Sequence, residues 1–377
     1  MMIVHFSTVH YRDDSRIRSK MMKSLSARYH GQVKLLVQDG KGSEVDSESG
    51  YVVVDTGPRL PRLKRMLIGG WRMFRAVAHE RPAIAHFHDP ELIPWAILLR
   101  LYGVRVVYDV HEDYPQSVAE YQSLPLIARR VLPSVIWLIE FASSLFFSGI
   151  VTVTPKIQAR FPRNKTVLVR NFPMLEEFHA PSSSPMRLRP CEVAYIGTIT
   201  QNRNIIGMLD AIGSIDDVGV TLRLAGDFPV LADENSARSH AEWSKVQFDG
   251  WVSRDGIASI LASARAGLVV LKPLEHEALS LPIKLFEYMA AGVPLIASDF
   301  PLWRTIIEEA ECGLLVDPLK PSEIASAIRW VVNHPDEAQA MGLRGRQAAL
   351  TKYNWDSEIE MLFNLYESIT PDLKKVV

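Results

Sequence analysis

Short apolar, β-branched runs alternate with helical patterns from one end of this chain to the other, and no other feature constrains the fold so strongly. In the first half the runs are Ile3–Phe6, Val33–Val37, Tyr51–Val54, Ile84–Phe87, Val104–Tyr108, Ile150–Val153 and Thr166–Val169. Helical stretches separate them, notably Arg16 to Tyr29 and Leu92 to Tyr102. The pattern restarts with Glu192–Ile196, Val220–Ala225, Val246–Phe248, Gly267–Leu271, Leu295–Ala297 and Gly313–Val316. A helix between two strands returns the chain to the edge it left, so such strands pair in parallel. At 377 residues the chain exceeds one ordinary core and fits two domains. The expected fold is therefore α/β, with two doubly wound, Rossmann-like domains facing across a cleft. The short run Pro181-Ser-Ser-Ser-Pro185 reads as a hinge. The domains are expected over 1–183 and 184–356, with a closing helix at about 357–377 packing back on the first.

Composition narrows the class. A formal net charge of −1 gives no global attraction to nucleic acid, so any anion site must be local. Cys191 and Cys312 are the only cysteines, too few for a disulfide framework or a thiolate metal cluster, and they fit a reducing cytoplasm. The opening M-M-I-V-H-F lacks the basic and long apolar regions of a signal peptide and reads as a strand. The longest apolar run, Val131 to Val151, has Glu140 in its middle and Pro133 near its start. A mid-span acid is expensive in a bilayer, so a buried or interfacial helix is expected there.

Residues 280–299, S-L-P-I-K-L-F-E-Y-M-A-A-G-V-P-L-I-A-S-D, place a lysine where a helix disfavours one. Ser280 is the expected N-cap, Pro282 lies near the first helical position, and Gly292 closes the helix. Lys284 then faces the positive end of the macrodipole, which costs about 0.3–1 kcal/mol unless an anion is bound there. The same residues admit a second reading, a surface pair of Lys284 with Glu287. Four further segments follow expected strands: His10 to Lys20, His86 to Glu91, Tyr108 to Pro115 and Tyr195 to Asn204. Capping by His88, Asp89 and Glu91 of a helix at Pro90, and a satisfied core role for His86, are ordinary structural readings. Arg203 reads equally as a surface residue, and Gly197 as a simple turn. No G-x-G-x-x-G follows the first strand of either half, which disfavours a nicotinamide or flavin enzyme. No H-E-x-x-H or paired C-x-x-C organises the histidines and carboxylates, so no metal is expected.

Taken in order, these segments resemble the GT-B-fold glycosyltransferases of family 4, the group 1 transferases, in the branch of bacterial polysaccharide biosynthesis. The resemblance rests on D-S-R-I-R-S-K, H-D-P-E-L, V-V-Y-D-V-H-E-D-Y-P, V-T-P-K-I with R-N-F-P, Y-I-G-T-I, G-W-V and L-P-I-K-L-F-E-Y-M-A-A-G-V-P-L-I-A-S-D. It covers nearly the whole chain. The resemblance implies a UDP- or GDP-sugar donor held mainly by the second domain, without a metal or other cofactor. It implies that Glu287 holds the ribose hydroxyls and that Leu279, Ser280 and Leu281 cradle the donor phosphate and sugar. Arg203 and Lys284 would neutralise the diphosphate, Trp251 and Val252 would receive the base, and Gly197 and Thr198 would turn beneath the diphosphate. His111 would reach towards the donor sugar, and His10, Asp14 and Arg16 would bind the acceptor. One departure stands out: Leu279 occupies the position of the family's first glutamate, with Glu275 and Glu277 nearby but out of register.

The implied reaction is retaining transfer to a saccharide acceptor linked to polyprenyl diphosphate, in surface polysaccharide biosynthesis. The segment Arg59 to Arg75 holds Arg59, Arg62, Lys64, Arg65, Arg72 and Arg75 with no acid, interleaved with Leu, Met, Trp and Phe. Such a segment docks on anionic bilayers, which implies a cytoplasmic protein held peripherally on the inner face of the membrane. The alternatives are a sugar-nucleotide 2-epimerase of the same fold and a non-catalytic subunit of a polysaccharide assembly.

Overall fold

The computed structural model describes residues 1–120, 124–178, 185–215 and 219–375, and divides into two compact units. The first comprises Met1–Asn171 and Asp356–Val377, the second Phe172–Trp355. The division falls at Asn171/Phe172, ahead of the expected 183/184; that position and hinge residues 181–184 lie outside the described residues. The closing helix runs Trp355–Ile369, and its residues from Asp356 onward belong to the first unit.

The first unit is built on eight strands: β1 (Ile3–Phe6), β2 (Val33–Val37), β3 (Glu44–Val45), β4 (Val52–Asp55), β5 (Ile84–Phe87), β6 (Arg105–Val110), β7 (Gly149–Thr152) and β8 (Thr166–Leu168). Their order is β3-β4-β2-β1-β5-β6-β7-β8, and every pairing is parallel except β3 with β4. The two-residue β3 is too short to leave an apolar pattern in sequence. The connection order reverses between β1 and β5, so the loops after these strands diverge and open a crevice at their carboxyl ends. Val4, Phe6, Ala85, Phe87, Val106 and Tyr108 all face one buried cluster. His5 stands opposite His86 in register, both completely buried on the other face.

The helix Leu126–Ser144 departs from a buried reading and fits an interfacial one. Its buried residues are Glu140, Ser143 and Ser144, while Ile127 and Leu138 are 79% and 57% exposed. Glu140 turns inward because Tyr108 and Arg160 both bond its carboxylate.

The second unit has six parallel strands: β9 (Glu192–Ile196), β10 (Thr221–Ala225), β11 (Val246–Gly250), β12 (Ala266–Val269), β13 (Leu295–Ser298) and β14 (Gly313–Val316), ordered β11-β10-β9-β12-β13-β14. Side chains alternate along β9, with Val193 and Tyr195 in one core and Ala194 and Ile196 in the other. Both faces are thus covered, which explains continuous apolar strands. Here the order reverses between β9 and β12, placing the second crevice beside Gly197.

Candidate active site

In the second unit the carboxyl ends of β9 and β12 bring together most of the residues expected to hold a donor. The helix Ile283–Ala290 begins behind Pro282, and every residue from Lys284 to Ala290 is buried. Ser280 is not its N-cap: the Ser280 hydroxyl donates to the Glu277 carbonyl, and the helix carries no side-chain cap. The first-turn N–H groups are therefore left without a side-chain cap at the end where the macrodipole is positive.

Lys284 is 8% exposed, and its ammonium lies 3.8 Å from the centre of the Tyr195 ring. Burial, followed by the nearby charge of Arg203, pulls its pKa down to about 7. A surface pair with Glu287 is excluded by this burial and by Glu287's own partner, Arg254, at 2.7 Å. Gly197 has φ +116°, and a Cβ there would sit 3.2 Å from the Lys284 Nζ. Gly226 approaches from β10 so closely that a Cβ would fall 2.1 Å from the Gly197 carbonyl oxygen. These glycines leave a floor of bare backbone beside a buried cation, the arrangement a diphosphate requires.

Arg203 is no ordinary surface residue. It is half-buried and donates to the buried Glu277 carboxylate at 3.0 Å. Thr198 is exposed, and its carbonyl accepts from the Tyr195 hydroxyl at 2.7 Å. Trp251 projects at the end of β11 with 74% exposure, while Val252 is half-buried against the core. Leu279 is 40% exposed, Leu281 packs on the core, and the Ser280 carbonyl accepts from the Trp303 indole at 2.8 Å.

Two residues here were not singled out from sequence as site residues. Glu277 supplies a buried acid two positions before Leu279, the place where an acid is missing. Arg254 bridges Glu177 and Glu287, so the expected ribose-binding carboxylate is held by a cation. Its place three residues after Trp251, at the first position of the helix Arg254–Ser263, was the available signal.

In the first unit, His10, Asp14, Arg16 and His111 assemble at the carboxyl ends of β1, β5 and β6. Asp14 caps the π-helical segment Ser15–Met22 by accepting from the Arg16 and Ile17 amides. His10 Nδ1 lies 3.1 Å from Asp14, and its Nε2 lies 2.8 Å from His111 Nε2. Burial opposes the His10 cation, but the Asp14 hydrogen bond and the Asp89 charge outweigh it and raise its pKa. Burial instead pushes His111 down to about 3, against the pull of Asp109. His10 is thus the proton carrier of the pair, and neutral His111 accepts from it through Nε2. That assignment leaves a proton on His111 Nδ1, a buried atom with no partner among the described residues. Arg16 pairs with Asp109 at 3.3 Å, and its Nη1 is likewise buried without a partner. A hollow of about 510 Å³ beside them is lined by Val9, His10, Tyr11, Asp13, Asp14 and Arg59.

Asp89 does not cap the turn at Pro90. Its carboxylate accepts from Thr8 N (2.6 Å), Ser7 Oγ (2.9 Å) and Val9 N (3.2 Å), fixing the loop after β1. Glu91 takes Arg65 at 2.7 Å and the Thr8 hydroxyl at 2.7 Å. Behind this loop runs a chain of buried contacts. His88 Nδ1 is 3.3 Å from Asp109, His88 Nε2 is 3.1 Å from His5 Nδ1, and His5 Nε2 is 2.9 Å from the Tyr366 hydroxyl. The Tyr366 oxygen also meets His86 Nδ1 at 2.5 Å. One set of neutral tautomers satisfies the hydrogen bonds, with His5 donating to His88, Tyr366 to His5 and His86 to Tyr366, while His88 Nδ1 faces Asp109 at 3.3 Å outside hydrogen-bond geometry. The end of the chain, His86 Nε2, has no partner among the described residues. Two groups here lie close enough to share an ion, His5 with His86 and His88, and His88 with Asp109 and His111.

Comparison with known proteins accords with this geometry. The family model described as Glycosyltransferase Family 4 matches residues 19–170, and that described as Glycosyl transferases group 1 matches residues 190–334. Glycogen synthase of Mycobacterium tuberculosis is 25% identical over 319 residues, covering 82% of this chain and 71% of the relative. A phosphatidyl-myo-inositol mannosyltransferase of Mycobacterium leprae is 27% identical over 191 residues, 49% of this chain and 48% of the relative. Among solved structures, sucrose-phosphate synthase of Thermosynechococcus elongatus superposes with a TM-score of 0.76 at 18% identity, covering 98% of this chain and 99% of that one. The Anabaena HepE protein in complex with UDP gives 0.74 at 12% identity, covering 98% and 100%.

Proposed function

This chain belongs to the group 1, family 4 glycosyltransferases, with their α/β GT-B fold and nucleotide-sugar dependence, and on that premise we propose how it works. The donor is a UDP- or GDP-sugar bound by the second unit, and the acceptor is a saccharide carried on polyprenyl diphosphate in surface polysaccharide biosynthesis. The observation that carries the reading is the buried ammonium of Lys284 beside the glycine floor of Gly197. A lysine at the positive end of a helix, buried and with no ion pair of its own among the described residues, suits a site for an anion.

Transfer proceeds with retention. The bond from the anomeric carbon to the diphosphate oxygen breaks, and the acceptor hydroxyl attacks from the face the diphosphate leaves. The departing phosphate takes the acceptor proton, so no separate base is needed. Lys284, Arg203 and the first-turn amides stabilise the charge that develops on the diphosphate, the task a metal performs elsewhere, and the reaction is proposed to be metal-independent. Glu287 receives the ribose diol once Arg254 turns aside, Trp251 and Val252 receive the base, and Leu279 to Leu281 border the sugar. Glu277 stands in for the absent first glutamate. On the acceptor side, the unpartnered Arg16 Nη1 and the hollow beside His10 and Asp14 suit a polar, anion-linked saccharide. The free Nδ1–H of His111 supports its role as a donor to sugar oxygen.

The segment Arg59 to Arg75 is proposed to hold the protein on the anionic cytoplasmic leaflet. Arg65 is taken by Glu91, but Arg62, Lys64, Arg72 and Arg75 are exposed, and beside them Leu63 and Leu67 are 76% and 67% exposed. The test is nucleoside diphosphate release across a panel of sugar nucleotides, with and without lipid extract. Release that requires lipid extract supports the reading. A product whose sugar stays on the nucleotide replaces it with epimerisation.

A further inference from the structure

We propose that the helix Leu126–Ser144 is a membrane-inserted element that lies in the plane of an anionic phospholipid surface. It stands on its own observations, independently of the transfer reaction. The helix is amphipathic with its polarity inverted. Its only acid, Glu140, is 1% exposed and bonded to Tyr108 and Arg160. Ile127, Val131, Val135 and Leu138 follow one another at four- and three-residue steps, the spacing of one helix stripe, and all are exposed. Leu145 and Phe146 extend the exposed apolar surface past its end. Water-soluble monomers rarely leave so continuous a stripe uncovered.

Geometry and charge select the occupant. No helix among the described residues is long and apolar enough to cross a membrane. Glu140, Ser143 and Ser144 tie one side of this helix to the protein, so only the opposite side can enter lipid. The charged groups at its start are exposed Arg130 and half-buried Arg129, whose Nε donates to the Ala119 carbonyl at 2.9 Å. A second copy of the same face would bring arginines together with no acid to receive them. An anionic bilayer offers a negative layer directly above an apolar one, which is the order the helix presents. The surface also continues beyond it: the helix Ile93–Leu101 packs against both Leu126–Ser144 and Gly70–Glu80. Exposed Trp71, Tyr102 and Trp137, one from each neighbourhood, are the side chains that settle at a headgroup boundary.

The experiment uses the intact protein with phosphatidylcholine vesicles, alone or mixed with phosphatidylglycerol, at low and high salt. The parent is expected to co-sediment with the mixed vesicles and to retain part of that binding at high salt. The double variant Ile127→Ser, Leu138→Ser removes two exposed side chains, so its fold is untouched and its partitioning falls on the order of a hundred-fold. The charge variant Arg62→Gln, Lys64→Gln loses chiefly the salt-sensitive part. Bromine-labelled acyl chains are expected to quench tryptophan emission, and Trp137→Phe to diminish that quenching. Vesicle binding by the serine variant equal to the parent overturns the proposal. So does a parent dimer in solution that the serine variant abolishes, which assigns the stripe to a second copy.

Discussion

The ammonium of Lys284 rests 3.8 Å from the face of the Tyr195 ring, buried at the start of the helix Ile283–Ala290. The ring's negative face eases the loss of water around the charge, yet burial still draws the pKa to about 7. With the diphosphate beside Lys284 as proposed, donor binding is expected to be linked to protonation. A nucleotide sugar has no phosphate proton to lose near neutrality, so its charge raises the lysine pKa in the complex. Affinity is expected to be flat below about pH 7 and to weaken above it by up to tenfold per unit, until the pKa of the bound state is reached. Calorimetry in buffers of differing ionisation enthalpy should show proton uptake on binding near pH 8. Lys284→Met should abolish both the uptake and the slope.

Arg203 and Glu277 form a buried-acid pair at the mouth of the same crevice. If Arg203 turns to the diphosphate during transfer, Arg203→Ala should lower kcat/KM by roughly a hundred-fold or more, the scale of losing one aimed cation. Glu277→Gln should keep the fold and the donor affinity but lose turnover. The measurement is steady-state release of nucleoside diphosphate beside a thermal melt of each variant. Near-parental transfer by both Arg203→Ala and Lys284→Ala would remove the diphosphate assignment.

Acid should weaken the first unit. Burial holds His5 and His86 well below the ordinary histidine value and His111 at about 3, so all are neutral when folded. The unfolded chain takes up protons at each as pH falls below about 6.5, and the folded chain does not. Each can cost up to ~1.4 kcal/mol per pH unit below that point. His10, whose folded pKa is raised, adds its stabilisation as pH falls towards about 6.5 and nothing further below that, so it leaves the acid loss in place. The melting temperature is expected to drop between pH 6.5 and 5. Tyr366→Phe keeps the ring but strands His5 Nε2 and His86 Nδ1, costing about 1–3 kcal/mol. It should also shift the nitrogen resonances that report the His5 tautomer, which a loss of packing alone leaves unmoved.

Gly226→Ala should be far worse than Gly197→Ala. Both have positive φ, but a Cβ at Gly226 meets Gly197 backbone at 2.1 Å, whereas one at Gly197 meets only the end of the Lys284 side chain at 3.2 Å. Backbone cannot step aside and a lysine can. The Gly226 variant is expected to unfold the crevice, detectable as a lowered melting temperature. The Gly197 variant is expected to fold and bind donor more weakly.

Strand positions in both sheets were legible because parallel strands covered on two faces are apolar throughout and end at recognisable turns. The second crevice was legible for the same reason: Lys284 and Glu287 are the only charges in residues 280–298. What sequence hid were partners set by long-range packing. Arg254 and Glu277 look like surface residues until β11 and β12 bring them to the crevice. The histidine chain needs β1 beside β5 and Tyr366 from the far end of the chain, a juxtaposition no local pattern encodes. Ser280 misled because a serine before proline mimics a cap, while its hydroxyl had a nearer acceptor in Glu277. The helix at Leu126 was read as buried or interfacial because an apolar run alone does not choose between them; the acid that faces inward does.

The first unit takes its last helix from the end of the chain, and this orders its birth on the ribosome. Residues up to Asn171 emerge first but lack Tyr366, so His5 and His86 wait with bare ring nitrogens. The second unit, a continuous segment from Phe172 to Trp355, can close while they wait. The unit begun first is finished last, and a nascent chain cut short before Tyr366 would leave a complete second unit joined to an unfinished first one.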